Sequence, residues 1–430
     1  MVSGKRLLVD LTPLRQSPPF RRLLAGSTLS AVGGSMTTFA VALQIYQITR
    51  SPFAVGAIGI ARMAPALAIG LLGGSLADAV DRRKLVLITT TSLAVVSAGL
   101  TAQAFAGLGM LWLLYALVAV QSALGSVNAP ARQTFLPQLL PPAQLMAGLA
   151  LNRISFQLML IGGPALGGLI TAATGSLRAS YLADTLSFAA ALYGVAGLPA
   201  MQPREDKARP GPRAVAAGLG LIARSQVLAG AFLTDLNATV FGLPMALFPA
   251  INAERFGGSP STLGLLTAAI GVGGLVSSVF SGPVGKVSRR GLAMLCSAAV
   301  WGAAFAGFAL APALWLALSL LAVAGAADTF TVVFRSAIVQ SVTPGRFRGR
   351  ILAVDYVVGA GGGEVGNLEA GAVGSLTSPT IGALSGGLAA IAGTVVIGLA
   401  LPAFARYRQR PAADMEVPPG KTVAAASASG

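Results

Sequence analysis

The sequence predicts an all-α integral membrane protein with twelve transmembrane helices in two parallel six-helix pseudo-repeats. Three observations carry this. The 430 residues are 54% hydrophobic and only 10% charged, with a mean hydropathy of +0.76, and a soluble protein of this size needs far more charge to cover its surface. Basic residues recur in short clusters, at Arg82-Arg83-Lys84, Arg204 to Arg213, Lys286-Arg289-Arg290, Arg346-Arg348-Arg350 and Arg406-Arg408-Arg410, with apolar sequence for paired membrane crossings between them. The chain also repeats itself. Ser51-Pro52-x-x-Val55-Gly56 returns 208 residues later as Ser259-Pro260-x-x-Leu263-Gly264, and the same offset aligns Gly74 with Gly282 and Arg82 with Arg290. Arg132 and Pro141 align with Arg335 and Pro344 at an offset of 203. Shared order at a near-constant offset is the mark of two copies of one unit in parallel orientation.

The elements follow in order. Residues 1–20 mix Leu7, Leu8, Val9 and Leu11 with Lys5, Arg6 and Arg15, and form a cytoplasmic N-terminal segment. Six spans are expected at 22–48, 53–78, 84–106, 111–136, 145–172 and 179–199, making an N-terminal bundle over 21–199. The polar, Pro-rich stretch 200–221 is a cytoplasmic linker. Six more spans, at 222–250, 260–284, 291–309, 312–340, 350–375 and 380–405, make the C-terminal bundle over 222–405, and residues 406–430 form a disordered cytoplasmic tail. Positive loops stay in the cytoplasm. Both termini are therefore expected there, in the inner (plasma) membrane, because the opposite loops carry only Arg50, Arg178 and Arg255. No cleavable leader is expected, since the stretch before the first long apolar run lacks a small-residue cleavage site.

Composition excludes several function classes. The net charge of +16 sits in short loops without a basic stripe or aromatic interleaving, so no nucleic-acid partner is expected. There is no histidine and a single cysteine, Cys296. That removes histidine catalysis, the usual zinc sites and any disulfide framework. No Gly-x-x-x-x-Gly-Lys-[Ser/Thr] loop is present, so ATP does not drive the chain. The reading is of a non-enzyme with no cofactor and no metal.

Several motifs resemble the major facilitator superfamily. The loop after the second span reads Gly74-Ser-Leu-Ala-Asp78-Ala79-Val-Asp81-Arg82-Arg83. It is similar to the superfamily signature Gly-x-x-x-Asp-Arg-x-Gly-Arg-Arg at Gly74, Asp78, Arg82 and Arg83, and departs from it at Ala79 and Asp81. Asn128-Ala-Pro-Ala-Arg132-Gln-Thr-Phe-Leu-Pro137-Gln, the run from Arg335 through Gln340-Ser-Val-Thr-Pro344 to Arg348-Gly349-Arg350, and Glu364-Val-Gly366-Asn-Leu-Glu369-Ala-Gly371 resemble the drug and siderophore exporter branch that includes enterobactin exporters. Gly163-Pro164-Ala-Leu-Gly167-Gly168 in the fifth span is similar to the end of a motif linked with antiporters, and reads here as a helix-packing motif. The resemblance covers about residues 20–405 and implies the alternating-access fold of that superfamily. It implies that Gly74, Asp78, Arg82 and Arg83 form a cytoplasmic gate, in which a carboxylate accepts hydrogen bonds across two halves that separate in the other state. It implies export of a small organic compound (a siderophore, drug or secondary metabolite) by proton antiport. Substrate, protons and the lipid bilayer are then the partners of a monomer. An uptake permease or lysolipid flippase of the same fold is the alternative, and a non-transporting membrane receptor a remote one.

Charges inside apolar spans point to the working parts. A charge at the bilayer centre costs about 2.5–3.5 kcal/mol, so each needs a partner, a cavity or a proton. Arg62, Asp184, Asp235, Asp328, Arg335, Glu364 and Glu369 are the candidates for proton coupling or the substrate pathway. Arg132, Arg153 and Asp355 read as structural, near cytoplasmic helix ends. Asp328 and Arg335 share a helix face but sit about 10.5 Å apart, so each bonds a neighbouring helix rather than the other. Glu364 and Glu369 point about 140° apart and do not share a partner. Glu364 or Asp235 is the group expected to exchange a proton, since a carboxylate out of water is neutral in one state and charged in another. Arg335 and Glu369 fit a structural network equally well. The glycines at 359 and 361–363 suit either close helix packing or a bendable gate. Gln44 and Gln47 line a path or cap a helix, and Asn128 relieves the backbone break at Pro130. The pocket is expected at mid-membrane between the halves, with few aromatics in its walls.

Overall fold

The computed structural model describes residues 10–72, 81–198, 212–279, 287–344 and 347–408. Gly74 and Asp78 lie outside the described residues, as do 1–9, most of the linker and most of the tail. Among the described residues twelve helical spans run in order. The N-terminal six are α1 (Pro18–Thr49), α2 (Pro52–Leu72), α3 (Arg82–Ala106), α4 (Leu111–Gln133), α5 (Pro142–Thr174) and α6 (Arg178–Ala196). The C-terminal six are α7 (Gln226–Phe241 and Phe248–Arg255), α8 (Pro260–Val279), α9 (Arg290–Leu310), α10 (Leu314–Val342), α11 (Arg348–Leu376) and α12 (Pro379–Ala400). Ten of them are long and apolar enough to cross a membrane by composition alone. The other two, α6 and α11, carry internal charge, Asp184 in one and Asp355, Glu364 and Glu369 in the other. "Near side" denotes the face where α1 begins, and "far side" the opposite face.

Helix ends follow their local sequence. Ser17, Ser225 and Ser378 cap α1, α7 and α12 by accepting from Phe20, Leu228 and Ile381 backbone N–H groups. Asp81, the departure from the family's glycine, caps α3 by accepting from Arg83 N at 2.8 Å and Lys84 N at 3.4 Å. At the far side Arg178 donates to the α3 carbonyl of Ala104, and Arg255 to the carbonyls of Ala309 and Ala311 that end α9. Both cations thus sit at the negative ends of helices. Trp112 and Trp315, 203 residues apart, stand exposed at the far-side starts of α4 and α10, where amphipathic rings suit a membrane interface.

Four expected elements differ. The seventh span, expected unbroken over 222–250, starts at Gln226 and breaks after Phe241, because Pro244 has no N–H with which to continue the ladder. A short 3₁₀ turn, Met245–Leu247, carries it on to Phe248–Arg255. The end of the expected linker is a helix, Pro212–Ala223, packed on α11, with Gly218 against the carbonyl of Arg350. The fourth and twelfth spans stop earlier than expected, at Gln133 and Ala400, each followed by a four-residue helix.

The repeat is visible in the packing. Within the first half α1 packs on α5 and α6, and α3 on α4 and α6; the equivalent α7 packs on α11 and α12, and α9 on α10 and α12. The halves meet chiefly along two interfaces, α2 with α11 and α5 with α8. Both use the repeated Ser-Pro-x-x-apolar-Gly stretch. A Cβ on Gly371 would sit 2.6 Å from the Pro52 carbonyl oxygen, and one on Gly168 would sit 2.5 Å from that of Pro260. Gly168 and Gly371 are themselves 203 residues apart. Small residues let the backbones approach this closely. The far end is thus held together by α2 against α11 and α5 against α8. Among the described residues α4 and α5 make no extensive contact with α10 and α11 on the near side.

Candidate functional site

A cavity of about 750 Å³ lies between the halves. It takes residues from α1, α2, α4 and α5 on one side and α7, α8, α10 and α11 on the other. Its walls are more aromatic than expected, with Phe39, Phe156, Phe248 and Tyr356 among them. The break in α7 places Met245, Ala246, Phe248 and Pro249 at its far end. Four charged residues face it: Arg62, Arg153, Asp328 and Glu364.

Arg62 on α2 and Glu364 on α11 form an ion pair across the halves at 3.4 Å. Asn367, one turn further along α11, lies beside the Glu364 carboxylate. The same Asn367 accepts from the Ala246 backbone N–H at 3.2 Å, inside the break in α7. That bond satisfies a donor which the proline break leaves free. Asn367 therefore stands between the ion pair and the discontinuous helix. Gly59 sits beneath it, where a Cβ would overlap the Glu364 carbonyl.

The second interface answers the first. Offset by 208 and 203 residues, the counterparts of Arg62 and Glu364 are Ile270 and Ile161. There α8 and α5 pack closely, with Gly271 against Ile161. Equivalent backbone packing is thus made once with apolar side chains and once around an ion pair.

A second cluster sits in the C-terminal half, outside the cavity lining. Arg335 on α10 binds Asp355 on α11 at 2.5 Å and Asp235 on α7 at 3.5 Å. Both partners lie on neighbouring helices, as the seven-residue spacing to Asp328 requires. Asp235, one of two carboxylates expected to exchange a proton, is buried in this network. Asn237 beside it turns away to donate to the Ala390 carbonyl of α12 at 2.8 Å.

The remaining candidates scatter. Asp184 is fully buried inside the N-terminal half, where one carboxylate oxygen accepts from Thr37 and Ser97 at 2.7 Å each and the other has no partner. Glu369 is on neither the cavity nor a described ion pair, and one of its oxygens is buried without a partner. Of the gate motif, Arg82 is buried and Arg83 donates to the Ala196 carbonyl ending α6, within its own half. Gly163 packs on Ser35, Gly167 on Phe39 and Gly168 on α8, while Pro164 lines the cavity. Gly361, Gly362 and Gly363 face Met63, Thr239 and Leu243, so these three serve close packing within an unbroken α11, while Gly359 faces open space. Gln44 bonds Gln103 and Tyr181. Asn128 donates to Thr89 and Thr90 of α3, tying two helices together instead of relieving the Pro130 break.

Arg153 is the residue that charge placement alone missed. It reads as structural in sequence, yet it faces the cavity with its guanidinium over the Phe156 ring at 5.2 Å. Its spacing held the signal. Arg153, Gln157, Leu160 and Pro164 recur at +4, +7 and +11, one helix face, and all four line the cavity.

The family model for transmembrane secretion effectors matches residues 9–428. The enterobactin exporter EntS of Shigella boydii serotype 18 is 27% identical over 405 residues, covering 94% of this chain and 97% of that protein. EntS of Escherichia coli O139:H28 is 26% identical over the same shares. Among solved structures, the nucleoside transporter NupG superposes with a TM-score of 0.69 at 15% identity, over 90% of this chain and 99% of the other. A bacterial homologue of the iron transporter ferroportin, in its inward-facing state, gives 0.66 at 16% identity, over 90% and 98%.

Proposed function

The chain belongs to the transmembrane secretion effector family of the major facilitator superfamily, a family of multi-pass efflux transporters, and from that premise we propose that it exports a small organic compound by alternating access, driven by proton antiport. The compound is a siderophore, drug or secondary metabolite; the enterobactin exporters among its relatives support that class. The membrane is the inner (plasma) membrane, with both termini in the cytoplasm, as the basic near-side loops favour. The cavity then opens toward the cytoplasm, where cargo enters.

One observation carries the coupling. Arg62 and Glu364 pair at the cavity, whereas the corresponding positions of the equivalent interface are Ile270 and Ile161. Packing does not demand charge at this place, and charge inside a membrane is costly. In this reading Glu364 exchanges its proton with cavity water and releases or takes up Arg62 as it does so. Asn367 passes the change to the break in α7. Asp235, held by Arg335, is the lesser candidate.

The test is flux in liposomes under an imposed proton gradient, with a panel of siderophores, including enterobactin, and cationic drugs. Gradient-dependent export that Glu364→Gln abolishes supports the reading. Coupled flux that survives this change moves the proton to Asp235 or Asp328. Inward transport, or competition by lysolipids alone, points to the permease or flippase.

A further inference from the structure

Arg153 and Asp328 face one cavity from opposite halves, on α5 and α10. Of the four charges there, Arg62 and Glu364 satisfy each other. No described residue of opposite charge lies within 4 Å of Arg153 or Asp328. Asp328, withdrawn from solvent, lies near enough to Asp235, Arg335 and, most weakly and across the gap, Arg153 to sense their charges. The nearer cation on its own side, Arg335, is already held by Asp235 and Asp355. The C-terminal half thus presents an excess of carboxylate at this level, and the N-terminal half presents a cation resting only on an aromatic ring.

Arg153 is exposed in the open cavity, whereas Asp328 is largely withdrawn from solvent. Closing the near side expels water from the cavity, and an unpaired charge left behind costs several kcal/mol. We propose that Arg153 and Asp328 form the ion pair that closes the near side of the cavity when the two halves rock together. Far-side closure is made by glycines against backbone carbonyls at Gly168 and Gly371. Near-side closure is made by charge. The two ends therefore respond to different things: a solute that binds Arg153 or Asp328 holds the near side open until it leaves.

The proposal rests on the alternating-access reading, and its test needs no substrate. Spin labels at Gln138→Cys and Gln340→Cys, exposed near-side positions of the two halves, are placed in a Cys296→Ala background and their separation measured by electron–electron resonance in liposomes. The unmodified pair is expected to show a short and a long distance. Arg153→Asp or Asp328→Arg should remove the short one, and the two together should restore it. Arg153→Gln and Asp328→Asn, milder changes, should each deplete it, with the double no worse than either single. Distances that ignore all of these, or a swap that restores nothing, overturn the latch. Distances that respond while no compound is transported keep the latch and sink the exporter.

Discussion

Arg335 on α10 lies 2.5 Å from Asp355 on α11 and reaches past it to Asp235 on α7 at 3.5 Å, so one guanidinium holds three helices of the C-terminal half together. Removing it strands a buried carboxylate. Breaking a buried pair from one side costs about 3–5 kcal/mol. Arg335→Met is expected to lower thermal stability in detergent by an amount in that range, and Arg335→Met with Asp235→Leu to recover part of the loss. A single variant as stable as wild type would show that the network is not structural.

Charge between α2 and α11 is expected to be dispensable for folding and required for work. Replacing Arg62 and Glu364 together by isoleucine copies the equivalent interface at Ile270 and Ile161. Apolar replacement of a paired charge is commonly neutral or stabilising. The double variant should melt at or above the wild-type temperature and show no gradient-driven flux. Retained flux would remove the pair from the mechanism.

Gly168→Val should keep the far side from closing. The new Cβ would sit 2.5 Å from the carbonyl oxygen of Pro260, and overpacking of this kind costs about 1–3 kcal/mol. Gly371→Val should act alike against Pro52. A thiol reagent added from the far side should then label a cysteine at Thr267, a cavity position, several-fold faster than in the parent protein. Unchanged labelling in both variants would show that the glycines do not set this closure.

Asp184→Asn is expected to leave coupled flux intact. Its amide oxygen accepts from Thr37 and Ser97 as the carboxylate does, and the group is sealed inside one half. Asp184→Ala, which leaves both buried hydroxyls without their acceptor, should cost about 1–3 kcal/mol of stability. Loss of flux in a stable Asp184→Asn protein would instead place this residue in the proton path.

Hydropathy and basic loops by themselves determined the twelve spans, and the two offsets determined the repeat, because a bilayer leaves the backbone few options: each span must bond itself as a helix. The candidate acids were legible too, since a charge in an apolar run has a visible cost. Sequence did not say which charges meet. That Asp235 is consumed by Arg335, that Glu364 faces Arg62, and that Arg153 stands in the cavity depend on the rotation of each helix about its axis and on which helices are neighbours. Those rotations are set by glycine contacts spread over the chain, such as Gly168 on Pro260 and Gly371 on Pro52. No local pattern records them. The break in α7 shows the same division: hydropathy carries the seventh span unbroken through Pro244, and only the fold shows the break and brings Asn367, beside Glu364, to the free N–H of Ala246.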